Sequence, residues 1–186
     1  QPILFLLALG FGFGPIYARA GGGDYIQFLA PGVISMTILF TGMFIGIETI
    51  WERQIGFLKE TLVAPIPRLH IMLGKTLGGA TVAMAQGLIV FIITLLAGFK
   101  PASLLYYPLA LLFMFLIAIL FTALGVAIAS TLEDMQAFPI IINFLITPLF
   151  FLSGALFPID GLPRTVEIIT KLNPLTYGVD GIRGAL

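Results

Sequence analysis

Apolar and polar positions in this chain are grouped in blocks and do not alternate. No charged side chain occurs from Gln1 to Ala18, Tyr25 to Ile47, Thr76 to Phe99, Pro101 to Leu132 or Met135 to Ile159, and the last four of these blocks hold 23, 24, 32 and 25 residues. A helix needs about 20 apolar residues to cross the hydrocarbon core of a bilayer. The blocks therefore predict membrane-spanning helices at roughly 28–50, 77–98, 105–129 and 137–157, with 1–17 as a partial fifth span. Lone strands would leave backbone groups unpaired in lipid. A membrane barrel would need ten-residue stretches of alternating polarity, which are missing. The expected fold class is all-α: a polytopic helical membrane protein with about five of six spans visible.

Composition agrees with that reading. Of the 186 residues, 59% are hydrophobic and 10% charged, whereas a soluble domain carries about 25% charge. A net charge of zero suggests no nucleic-acid partner. The lack of cysteine excludes disulfides, iron–sulfur clusters and thiol catalysis. Tyr17, Tyr25, Tyr106 and Tyr107 fall at predicted span ends, where amphipathic rings favour the headgroup layer. The opening "QPILFLLALGFGFGPIYARAGGGD" lacks the basic start and small-residue cleavage site of a signal peptide. It reads as the second half of a spanning helix, and "NPLTYGVDGIRGAL" as a helix begun and cut short.

The loop between the second and third blocks carries Arg53, Lys59, Arg68 and Lys75, against one basic residue each, Arg19 and Lys100, in the flanking loops. Positive-inside bias places residues 51–75 in the cytoplasm, although Arg164, Lys171 and Arg183 would then lie outside. At about 100° per residue, positions 52–63 form a two-faced helix. Glu52, Gly56, Lys59, Glu60 and Val63 gather on one side, with Arg53 at its edge; Ile55, Leu58, Thr61 and Leu62 gather on the other, with Phe57 beside them. The expected arrangement turns the apolar side to the bundle and the polar side to water. Pro65 and Pro67 end the helix, and Arg68 and His70 lead into the next span. Physics alone leaves two roles for this island, a solvated connector that fixes topology or a contact for a soluble partner. Glu48, one turn earlier, is either a helix-end carboxylate at the headgroups or part of a water-filled vestibule.

Other chemistry is sparse. "GKT" at Gly74–Thr76 imitates the end of a phosphate-binding loop, but position 69 is Leu where the pattern requires glycine. His70 has no carboxylate arrangement at metal-ligand spacing, and Glu133-Asp134 is too small a cluster for a diphosphate site. An ion-coupled secondary transporter would want acids or unwound segments at mid-span. A structural membrane subunit would not explain the polar island. Gly42 and Gly46, and Gly74 and Gly78, have close-packing spacing.

The stretch from "FLAPGVISM" through "ETIWERQIGFLKETLVAPIPRLHIMLGKTL" resembles the core signature of the type-2 ABC transporter permeases, the exporter group with drug-efflux and polysaccharide-exporting members. The similarity rests on Pro31, Gly32, Glu52, Arg53, Gly56, Leu62, Pro65, Arg68, Gly74 and Lys75. The second half, with its "LSG…FP…LP…NPLTY…D…R" order, is similar to the family's ending. The resemblance implies a multi-pass permease of the plasma membrane, in a homodimer or pseudo-dimer. Each unit would rest on a cytoplasmic ABC ATPase that holds the ATP and magnesium, with no cofactor in the permease. It makes 51–70 the coupling segment, with Glu52, Arg53, Gly56, Glu60, Pro65, Arg68 and Lys75 as its residues. It also makes 158–177 an external re-entrant element that roofs the substrate path, with Pro158, Gly161, Pro163, Asn173, Pro174 and Tyr177 as candidates. Within that element Leu162, Val166, Ile169 and Leu172 repeat at helical spacing, which predicts a short helix lying at the interface. Asn173 is placed to cap the next helix, with Pro174 in its first turn.

Overall fold

The computed structural model describes residues 2–19, 25–57, 63, 65–101, 104–132, 134–157 and 164–186. Among them every regular element is helical. In chain order these are α1 (Pro2–Arg19), α2 (Tyr25–Phe44), α3 (Gly46–Gln54), α4 (Arg68–Leu96), a 3₁₀ turn at Leu104–Tyr106, α5 (Tyr107–Thr131), α6 (Ala137–Phe151), α7 (Arg164–Leu172) and α8 (Pro174–Ala185). Among the described residues, three stretches are long and apolar enough to cross a membrane: Tyr25–Gln54, Arg68–Leu96 and Tyr107–Thr131. Leu4–Ile16 and Ala137–Phe151 are shorter apolar helices. The protein is thus an all-helical, multi-pass membrane protein.

α2 is the hub and packs against α1, α4, α5 and α8. Leu29, Val33, Ile34, Ile38, Leu39 and Met43 along it have no exposed surface, as expected of a helix that is apolar all round. Lipid is as apolar as leucine, so small residues set how closely such helices approach. Gly46 of α3 and Gly125 of α5 sit at a close backbone approach: a Cβ on Gly46 would collide with the Gly125 carbonyl oxygen, and one on Gly125 with the Met43 carbonyl oxygen of α2. Gly42 faces Thr122, and Gly87 of α4 faces Ile38. The Gly42–Gly46 pair therefore works within the chain, while Gly74 and Gly78 open onto empty space. The outer faces of α4 and α5 carry exposed Ile89, Ile92, Leu96, Leu109, Leu112 and Leu116, a surface fit for lipid.

Two span expectations need correction. The 28–50 span is broken at Ile45, a turn between α2 and α3, and extends to Gln54. The 137–157 span is helical only to Phe151; residues 152–157 are irregular. At about 1.5 Å per residue, the 15 residues of α6 reach about 22 Å, short of a hydrocarbon core about 30 Å thick.

The end of the chain turns back into the bundle. α6 starts with Phe138 against Gly46 and rises so that Phe150 meets Phe40 and Ala155 meets Gly32. Ile169 and Leu172 of α7 and the following Asn173 line a cavity together with Leu145, Pro148 and Leu149 of α6. α8 then climbs along α5: Gly178 faces Ile117, Gly181 faces Phe113, and Leu186 shares a cavity with Tyr107 and Ala110. Ile117 is ten residues, or about 15 Å, below Tyr107. The tip at Asn173 is one turn deeper. The short amphipathic helix expected here is present as α7, joined at Asn173 to α8.

Candidate functional site at the two ends of the bundle

At the end carrying Arg53, Arg68 and Lys75, the basic face, the anticipated helix over 52–63 does not run through. α3 stops at Gln54, Ile55 caps it, and Gly56 takes φ +85°, a left-handed conformation that costs glycine least. Glu60 lies outside the described residues, as do Lys59, Leu58, Thr61 and Leu62. Pro65 and Ile66 form a bend and Pro67 sits at the N-cap of α4, so Arg68 is the first residue of that helix. The helical ladder therefore begins nine residues earlier than the apolar block at 77 indicated.

Three of the charged side chains here, Glu52, Arg53 and Lys75, have partners within the structure. Glu52 pairs with Lys75 of α4, and both are partly buried. Arg53 reaches across to the end of α5. Its guanidinium donates to the carbonyl oxygens of Ser130 at 2.9 Å and Leu132 at 3.1 Å, with a longer approach to Ala129. The last carbonyls of a helix lack intrahelical donors, and a cation there also complements the helix dipole. Trp51, Ile55, Phe57, Val63, Ile66 and Leu69 are instead exposed. Of the two sides expected over 52–63, Glu52 and Arg53 from the polar side are thus paired within the protein, while Ile55 and Phe57 from the apolar side are exposed. Arg68 and His70 are exposed as well.

At the opposite end, the irregular segment 152–156 is buried, with Ser153 and Ala155 fully so. Backbone without a helix is tolerated at membrane depth only where protein groups satisfy it. Here Tyr25 Oη donates to Leu156 O at 3.1 Å and Arg183 Nη2 donates to Gly154 O at 3.0 Å. The Arg183 guanidinium also stands 4.1 Å over the Phe28 ring, a cation–π contact. A Cβ on Gly32 would collide with the Ala155 carbonyl. The Pro31-Gly32 pair and the "LSGALF" run, far apart in sequence, thus meet here.

Three predicted re-entrant residues sit at the hairpin tip. Asn173 is buried; its Oδ1 accepts from Leu175 N at 3.0 Å as the N-cap of α8, with Pro174 next, and its Nδ2 donates to Leu149 O at 2.6 Å. One amide thus closes the start of α8 and the end of α6. Thr176 Oγ1 donates to Thr170 O at 2.9 Å and Tyr177 Oη to Lys171 O at 2.7 Å, closing the end of α7. Pro158, Gly161 and Pro163 lie outside the described residues. Sequence reasoning overlooked Tyr25 as a buried donor, Arg183 as an anchor, and Thr176. The signal for Arg183 was available: it is a lone cation on the apolar face of a short helix.

The whole chain, residues 1–186, matches the family model of the ABC-2 type transporter. The chain belongs to the ABC-2 type transporter family. Nodulation protein J of Rhizobium leguminosarum bv. trifolii is similar, at 31% identity over 186 residues, covering 98% of this chain and 70% of that protein. The inner membrane transport permease YadH of Escherichia coli K12 is 29% identical over 189 residues, covering 97% and 70%. The ycf38 protein of Cyanophora paradoxa is 29% identical over 186 residues, covering 98% of this chain and 64% of its own length. As an ABC-2 type permease, the chain is a membrane-embedded transport subunit.

Proposed function

We propose that this permease is the path-forming subunit of an ATP-driven exporter in the plasma membrane. Two permease units act together, and a separate ABC ATPase supplies the energy with its own ATP and magnesium. The reading is supported chiefly by how the turn after α3 is wired. A load on residues 51–57 reaches α4 through Glu52–Lys75 and α5 through Arg53 and the Ser130 and Leu132 carbonyls. The exposed apolar residues around that turn offer the load a place to act. A soluble ATPase docked there would move α2–α3, α4 and α5 together and exchange the two open states of the path. A ligand can shift such an equilibrium only by binding one state better than the other.

The experiment uses the full-length permease with its ATPase in proteoliposomes. Arg53→Ala frees the α5 carbonyls and is expected to leave insertion and ATPase association intact while uncoupling hydrolysis from transport. Arg53→Lys supplies a cation without the fork geometry and restores only part of the coupling. Full transport by Arg53→Ala, or transport by the wild-type permease without any ATPase, overturns the proposal.

A further inference from the structure

A groove runs along the outside of the α2–α3 junction against α4. Its deeper half, a 420 Å³ cavity, is lined by Phe40, Thr41, Phe44, Glu48, Val82 and Gln86, among others. A 230 Å³ cavity continues from it toward the basic face and shares Ile45, Glu48 and Val82. Three observations bear on what it holds. Glu48 has no ion-pair partner among the described residues, because the nearby Lys75 is taken by Glu52. With that pair neutral, the groove carries one net negative charge beside apolar walls. Thr41 Oγ1 donates to Gln86 Oε1 at 2.7 Å, so the rest of the Gln86 amide stays available to a guest, and Gln86 is exposed. The Phe40 and Phe44 rings are stacked with centroids 6.4 Å apart, and they line the stretch between the two polar ends.

Glu48 and Gln86 are both exposed along the groove, and a carboxylate beside apolar walls favours a cation at its side. From Thr41 to Glu48 is seven residues, about 10 Å of helix. We propose that this groove binds an amphipathic monocation: a positively charged head at Glu48, an aromatic or aliphatic body over Phe40, Phe44 and Val82, and a hydrogen-bonding group about 10 Å further on at Gln86. This deepens the transport reading above, on which it rests, by naming the chemical class of the cargo. The charge selects cations over neutral and anionic lipids. The ring faces add a cation–π contribution as the head slides past them.

The test is equilibrium binding, which needs no ATP and therefore stands or falls separately from coupling. Full-length protein in phosphatidylcholine nanodiscs is titrated with rhodamine 6G, a lipophilic monocation bearing an ester, and with Nile red, a neutral dye of similar size, by fluorescence anisotropy. Rhodamine 6G is expected to bind saturably and Nile red to partition without saturation. Glu48→Gln weakens rhodamine 6G binding about tenfold or more, the scale of one hydrogen bond to a charged group. Gln86→Leu weakens it severalfold, and Glu167→Gln on the distant α7 leaves it unchanged. The two groove variants alter opposite ends of the site, and each is checked for monodispersity. Equal affinity for the two dyes, or undiminished rhodamine 6G binding by Glu48→Gln, overturns the proposal. So does efficient disulfide formation between copies carrying Val82→Cys, which would show a second permease in the groove. Saturable, Glu48-dependent binding without ATP-driven flux would retain the site and reject the transport reading.

Discussion

The two ends of this bundle handle polar groups in opposite ways. At the basic face, Glu52, Lys75 and Arg53 are partly exposed and join separate helices through side chains, with apolar residues on the outside. At the far end the polar groups are backbone carbonyls of a buried irregular segment, satisfied by Tyr25 and Arg183 reaching in from other helices, with Asn173 closing the end of α6 beside it. The first arrangement tolerates movement, since a partly hydrated ion pair can re-form after a small displacement at little cost. The second does not, because each buried carbonyl that loses its donor incurs a full desolvation penalty. A moving end and a fixed end are what a lever requires.

The sharpest way to break this contrast is at Gly32. Gly32→Val forces the α2 backbone away from Ala155, and overpacking of that kind costs about 3 kcal/mol. The expected outcome is loss of monodisperse protein, or a large fall in melting temperature, by thermal size-exclusion in detergent. Tolerance of valine there would mean that the segment 152–156 can shift. Next comes Arg183→Met, which keeps the apolar stem but leaves the Gly154 carbonyl without its donor. It should destabilise by about 2 kcal/mol in the same assay, with Arg183→Lys intermediate. The smallest effect is expected at the basic face. Exchanging the charges in Glu52→Lys with Lys75→Glu should restore most of what either single change loses, with a coupling of about 0.5 kcal/mol from a double-mutant cycle. A coupling as large as the Arg183 effect would remove the distinction between the ends.

How much of this was legible beforehand follows the same division. The charge-free blocks located α2, α4, α5 and α6 because lipid imposes a hydropathy signal over 20 residues. Asn173 as a helix cap was also readable, since capping is local chemistry followed by Pro174. The end of α6 was not. Pro148, Ser153 and Gly154 hint at a break, but only tertiary partners such as Arg183 and Tyr25 make an irregular backbone affordable inside the bundle. Likewise periodicity over 52–63 predicted a continuous helix, because a 100° count cannot see Gly56 adopt positive φ. It also could not see Arg53 being claimed by carbonyls 76 to 79 positions away. The ion pair of Glu52 with Lys75 joins two residues of the predicted coupling set, yet nothing in their spacing of 23 announced it.

The hairpin of α7 and α8 carries an implication for how the protein is made. The nine residues of α7 are too few to span a bilayer, and Asn173, which follows it, is buried and donates to the Leu149 carbonyl. The hairpin's seat, formed by the Leu149 carbonyl, Ile117 and Phe113, exists only after α5 and α6 have packed. The turn at Asn173 therefore reaches its place only once those two helices are in theirs, which makes it a late step of folding.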